Sequence, residues 1–159
     1  MLLSYQIWQD EACLTAWRVN ESHHHVQTVG GDKIFSDYRI RIAQVAYEAK
    51  PEREAWRPDR RSPYNDPDRR KPRVAIATES ANAELAAKSG WQDESFRSVY
   101  REGRFAHLID VPDEKAAMEF GPKLFADPTT EYFRVIETIR DYGMFERAEA
   151  PQYYPPASR

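Results

Sequence analysis

Residues 104–120 read RFAHLIDVPDEKAAMEF, a strand delivered directly into a helix. Arg104 to Val111 is apolar enough for a half-buried strand. Pro112-Asp113-Glu114 then supplies a fixed φ, a capping carboxylate and a first-turn acid, which start a helix running through Phe120. Upstream, Ser95 to Arg101 is a second strand candidate, joined to the first by Glu102-Gly103 as a tight hairpin turn. Before it, Arg73 to Thr78 reads as a strand and Asn82 to Lys88 as a short helix stopped by Ser89-Gly90. Downstream, Gly121-Pro122 interrupts the helix and Phe133 to Arg140 makes a last strand. Residues 73–145 therefore spell βαββαβ, the element order of a complete ferredoxin-like unit and of an α+β fold.

The first 48 residues spell only the last three of those elements. Leu2 to Trp8 is rich in apolar and aromatic residues and reads as a strand, and Asp10 is a helix N-cap with Glu11 behind it. The helix carries Cys13, Leu14, Ala16 and Trp17 and ends before Gly30-Gly31. From Tyr38 to Tyr47 the pattern alternates, with Tyr38, Ile40, Ile42 and Gln44 on one face and Arg39, Arg41, Ala43 and Val45 on the other. Aligning Asp10-Glu11 with Asp113-Glu114 brings Trp17 onto Phe120 and Arg41-Ile42 onto Arg134-Val135, a partial internal repeat. Its missing opening strand would leave a slot between the strands Leu2–Trp8 and Tyr38–Tyr47. A strand from a second copy of the chain, or else a region upstream of Met1, is expected to fill that slot, the second copy being preferred, because unpaired backbone groups facing an apolar gap are costly.

Between the halves, Pro51, Pro58, Pro63, Pro67 and Pro72 stand among Arg and Asp, a composition that sustains neither a helix nor a central strand. The expected organisation is a partial repeat over 1–48, a Pro/Arg-rich linker over 49–72, a complete repeat over 73–145 and a Pro-rich tail over 146–159. The chain has 159 residues, 41% hydrophobic and 13% aromatic, which is enough to fold around a real core despite 31% charged residues. Its 23 basic and 26 acidic residues are interspersed and leave a net charge of −3, so no electrostatic footprint for nucleic acid or a membrane stands out. The single cysteine, Cys13, has no intramolecular partner, and no apolar run is as long as a membrane span or a signal-peptide core. A cytoplasmic protein is the expectation.

The first half also resembles a known family. Trp8, Asp10 and Glu11, then Ala16-Trp17-Arg18, His23, Gln27, Gly30 and Asp37-Tyr38-Arg39-Ile40-Arg41-Ile42 are similar to the antibiotic-biosynthesis monooxygenases of the dimeric α+β barrel superfamily. The C-terminal run Ile139-Arg140-Asp141-Tyr142-Gly143-Met144 looks like the end of such proteins. The resemblance implies ferredoxin-like units in a dimeric barrel and oxidation of a small aromatic or quinol-like substrate by O2 without a bound cofactor. It also implies an apolar cavity between sheet and helices. Related proteins cleave haem, but their ligand histidine falls about where Gln27 stands. Because the second repeat lacks the His and Gln and has Phe120 for Trp17, the pocket is expected in the first half.

Each candidate residue has an ordinary reading beside the chemical one. Trp17 is placed to wall a cavity and donate its indole N–H to a substrate oxygen, or simply to pack on the sheet. His23, His24 and His25 are consecutive and point in three directions about 100° apart on a helix, which rules them out as one tetrahedral metal set. One of His23 and His24 is the candidate base toward a phenolic proton, since imidazole titrates near neutrality. Gln27, Tyr38, Arg39 and Arg41 are the candidate substrate-binding groups, the arginines for a carboxylate or phenolate, although exposed cations on strands are common. His107, mid-strand among apolar neighbours, reads as a satisfied interior histidine. Asp10-Glu11 and Asp113-Glu114 look like carboxylate pairs, but their place at helix starts explains them better. The function expected is thus a monooxygenase on a small aromatic substrate, most simply a homodimer. The alternatives are a non-catalytic barrel for ligand binding or assembly, and a haem-degrading enzyme.

Overall fold

The computed structural model describes residues 2–18, 29–30, 34–58 and 73–150. His23, His24, Gln27, most of the linker and the end of the tail lie outside them. The chain divides into two compact units, residues 41–140 and residues 1–40 with 141–159.

Residues 41–140 hold the bulk of a five-stranded sheet. In chain order the elements are α1 (Glu11–Arg18), β1 (Arg39–Ala49), β2 (Arg73–Ser80), a 3-10 turn (Ala86–Ser89), β3 (Asp93–Arg97), β4 (Phe105–Val111), α2 (Glu114–Phe120), a second 3-10 turn (Gly121–Ala126) and β5 (Tyr132–Gly143). The strand order is β1-β5-β2-β4-β3, with β2 antiparallel to both β4 and β5 and β3 antiparallel to β4. Four of these strands reproduce the ferredoxin-like order, with the opening strand β2 between the last two, and β1 is added outside β5. The fold is α+β, as the element order predicts.

Alternation sorts the two faces. On β2, Val74 and Ile76 join Ile109, Val111, Phe133 and Val135 in a core closed by Leu85, Ala117 and Leu124 from the turns and α2. Burying each of these larger side chains contributes about 1.5–3 kcal/mol. The opposite face carries smaller residues, Ala75, Ala77 and Ile136, with Ala43, Val45 and Leu108 packed against them. Asp113 caps α2, its carboxylate accepting from Ala116 N at 2.8 Å. Gly103 takes φ +69° in the β3–β4 connection, a conformation that favours glycine. Gly121 is required for a different reason, since a Cβ there would stand 2.4 Å from the Phe133 ring.

Several expectations need correction. Leu2–Trp8 is not a strand: Leu2 is 74% and Ile7 57% exposed, and propensity alone does not make a segment β. With no strand over Leu2–Trp8, the slot is not one between two strands of a partial sheet: β1 pairs with β5 inside the same chain and forms one edge of a single sheet. The helix expected over Asn82–Lys88 shrinks to the 3-10 turn Ala86–Ser89, whose following Gly90 is left-handed at φ 75°. Strand β3 is shorter and earlier than Ser95–Arg101, whereas β5 extends beyond Phe133–Arg140 at both ends. Gly121-Pro122 does end α2, but the chain continues as a 3-10 turn to Ala126.

The start of the linker is tied down. Trp56 exchanges two backbone hydrogen bonds with Glu48 at 2.8 and 2.9 Å, and Arg57 stacks over Tyr47 while pairing with Glu114 at 2.7 Å.

In the unit formed by residues 1–40 and 141–159, Asp10 caps α1 by accepting from Cys13 N at 2.8 Å. Asp113 caps α2 with the same bond, from the residue three positions on. Tyr38 and Met144 close the ends of β1 and β5, Met144 N donating to Tyr38 O at 2.9 Å.

Candidate functional site

The residues singled out from sequence fall into separate sets of contacts. Trp17, half-buried on α1, packs against Trp8 with ring centroids 5.2 Å apart, which is the packing role as much as the cavity role. His23, His24 and Gln27 lie outside the described residues.

Tyr38 stands in the best-formed constellation. Its hydroxyl oxygen accepts from Arg147 Nη1 at 3.1 Å, and Phe35 meets its ring edge-on at 6.4 Å. Arg147 also lies 5.3 Å over the ring of Tyr142, a cation held against an aromatic face. An acceptor bond from Arg147 leaves the phenolic hydrogen of Tyr38 to be given elsewhere. Tyr38 and Arg147 together thus present one O–H donor and one cation among aromatic walls, a combination suited to an oxygen that carries or gains negative charge.

Arg39 points to the other face of β1 and is engaged by Asp141, Nε to Oδ1 2.7 Å, with the carboxylate side chain only 2% exposed. This bond raises the guanidinium's pKa above its ordinary value. Asp141 N in turn donates to Glu149 at 2.8 Å, which anchors the tail. Arg39 therefore reads as a clamp between the ends of β1 and β5.

Arg41 shares that face and reaches Asp110 on β4 at 3.4 Å. Two strands, β5 and β2, separate β1 from β4, so the long side chain must pass over the sheet. The small residues Ala75 and Ala77 on β2 leave room for it. At the other end of the same face Arg134 pairs with Glu48 and lies 3.9 Å over the ring of Tyr132. Glu48 is also held by Lys50 at 2.9 Å, and although partial burial opposes it, these cations bring its carboxyl below the usual range.

His107 is satisfied by its neighbours. Ser80 and Ser95 sit on its two ring nitrogens at 3.1 and 2.7 Å, and the ring is fully buried. Desolvation holds its pKa below the ordinary value.

Sequence reasoning missed Arg147, Tyr142, Phe35 and Asp110. Arg147 and Tyr142 were visible only as part of the C-terminal resemblance, and nothing local connects them to Tyr38 more than a hundred positions away. Asp110 has no sequence signal for its pairing with Arg41.

The chain is 28% identical over 168 aligned residues to the jasmonate monooxygenase ABM of Pyricularia oryzae, covering 99% of this chain and 77% of that protein. No family model matches the chain. No solved structure matches it. Among the described residues, no helix is long and apolar enough to cross a membrane.

Proposed function

We propose that this chain, similar along nearly its whole length to a monooxygenase, is itself a monooxygenase of the antibiotic-biosynthesis type. It would oxidise a small aromatic or quinol-like substrate with O2 and no bound cofactor. That similarity is the observation that carries the proposal, and the α+β sheet agrees with it.

In the reaction we assign, an activated methylene becomes a carbonyl: CH2 and O2 give C=O and H2O, the substrate's own C–H bonds supplying the electrons. The first proton leaves to a base, for which His23 and His24 remain the candidates. Charge then develops on a substrate oxygen conjugated to that carbon. Tyr38 and Arg147 supply the O–H and the cation for that oxygen, 3.1 Å from one another, and fixed donors at a site of developing charge favour the transition state. Trp17 and Gln27 would line the substrate. Arg39 and Arg41, each already facing a carboxylate, hold their strand in place and orient the groups beside it.

The experiment is oxygen uptake by the purified chain with a panel of anthrones, naphthoquinols and jasmonate, with mass spectrometry under 18O2. One labelled oxygen in the product, lost with Tyr38→Phe, is expected. Saturable binding without oxygen uptake would instead favour the non-catalytic barrel. A haem absorption shift with haem turnover would favour the haem-degrading alternative.

A further inference from the structure

Ser95 and His107 form a hydroxyl–imidazole pair that the oxidation does not use. Ser95 is exposed on β3, and His107 is buried behind it on β4. The two stand directly opposite in the β3–β4 ladder, with Ser95 Oγ 2.7 Å from the ring's Nδ1. The other ring nitrogen, Nε2, is 3.1 Å from Ser80 Oγ. Ser80 gives its own hydrogen to the carbonyl of Asn82, also at 3.1 Å, so it accepts at the ring and Nε2 carries the hydrogen. Nδ1 then has a free lone pair, and the hydrogen in the 2.7 Å contact belongs to the Ser95 hydroxyl.

Hydroxyl, base and a third group that fixes the base are the parts of an activated nucleophile. The exposed end of this series is the hydroxyl and the buried end is the orienting group, so a substrate reaches Ser95 Oγ without opening the ring to water. The ladder adds a donor. Asp110 N donates to Gln92 O at 2.9 Å and Ser98 N to Arg104 O at 2.8 Å, and bonded pairs alternate, so the backbone N–H of Ser95 points away from β4. Among the described residues β4 is the one neighbour of β3. A nucleophile's own amide is placed to meet the oxyanion formed at the carbon it attacks. Burial holds the pKa of His107 below its ordinary value, which keeps the ring neutral and able to accept a proton at pH 7. Asp93 on β3 and Asp127, itself acted on by Lys88, pull the other way and favour the imidazolium that forms when Ser95 gives up its proton. A base weakened by burial suits an ester, whose leaving oxygen departs more easily than an amide nitrogen. Phe105 stacks beside the ring with centroids 6.4 Å apart, an apolar surface for an acyl group.

We propose that Ser95 and His107 form a second catalytic site, which hydrolyses small carboxylic esters through an acyl-serine. Ser95 Oγ bonds to the ester carbonyl carbon as its proton moves to Nδ1, and the carbonyl oxygen takes the electron pair beside the Ser95 amide. The carbonyl then re-forms, the ester C–O bond breaks, and the leaving oxygen takes the proton from Nδ1. Water repeats the sequence on the acyl-serine, giving one proton to Nδ1 and thence to Oγ, which releases the acid and restores the hydroxyl. No step exchanges electrons with an oxidant, so the site works apart from the oxygenase chemistry.

The test treats the full chain with a fluorophosphonate, which loses fluoride as its phosphorus bonds to a serine oxygen, and separately follows hydrolysis of p-nitrophenyl acetate. Intact mass and peptide mapping should place the phosphonate adduct on Ser95. Ser95→Ala, a change at an exposed position, should abolish that adduct and slow ester hydrolysis about a hundredfold or more. The part played by His107 is read from the pH profile of the unaltered chain, which leaves the core intact. Labelling should be level from about pH 8 to 6.5 and fall below that as the ring takes up a proton. A chain with no adduct on Ser95 overturns the proposal, as does a Ser95→Ala chain that hydrolyses the ester at the wild-type rate. So does a labelling rate that never falls between about pH 6.5 and the carboxylate range near pH 4. None of these readouts depends on oxygenase activity.

Discussion

Ser95 Oγ and His107 Nδ1 meet 2.7 Å apart across the β3–β4 ladder, while Ser80 Oγ holds the ring's other nitrogen. Directly opposed residues that do not share backbone bonds bring their side chains closest, so the register creates this contact. Ser80 also accepts from Asn82 N and lies 3.1 Å from Asn82 O, which gives its own hydrogen an acceptor. The ring can then donate from Nε2 and accept from Ser95 at Nδ1, satisfied in its neutral form.

That arrangement fixes a pH dependence. The folded pKa of His107 lies below the ordinary 6.5, so the unfolded chain binds the proton more readily. Stability from this residue is full above about pH 6.5 and falls as the pH drops from there through the lower folded value. Urea midpoints measured from pH 8 downward should hold level and then decline, well before the carboxylates titrate near pH 4. His107→Gln should be less stable at neutral pH and lack that decline. An unchanged decline in the variant would assign it to other groups.

Gly121→Ala places a methyl carbon 2.4 Å from the buried Phe133 ring, closer than packing allows. The expected loss is about 1–3 kcal/mol in urea denaturation. Adding Phe133→Leu should recover part of it, a coupling that distant residues would not show. Strict additivity would refute the contact.

Asp113→Ala removes the carboxylate that accepts from Ala116 N and should cost about 1 kcal/mol. Asp113→Ser should restore most of it, because a hydroxyl can cap as well. If serine and alanine behave alike, the capping account is wrong.

On activity, Tyr38→Phe keeps the ring against Phe35 but removes the hydroxyl that faces Arg147. A drop in kcat of about ten- to hundredfold is expected with little change in thermal stability. Arg147→Met should show a similar loss. A change confined to KM would make the pair a binding contact only.

The sequence by itself determined the parts whose physics is local. The order of the four strands over residues 73–143 and the helix between the last two follow from alternation, from the capping Asp113, and from Gly103, where a left-handed turn is needed. The α1 start at Asp10 was legible for the same reason, and so was the facing of Arg41, Ala43 and Val45 together on β1. The tertiary structure decided everything that depends on which distant segment lies alongside. Leu2–Trp8 has strand composition but no strand, because a strand exists only where another edge supplies its hydrogen bonds. The place of β1 beside β5, the span from Arg41 to Asp110, and the meeting of Tyr38 with Arg147 all join residues about seventy to a hundred positions apart. No periodicity encodes such pairings, because they are selected by the closing of the whole sheet and the burial it brings.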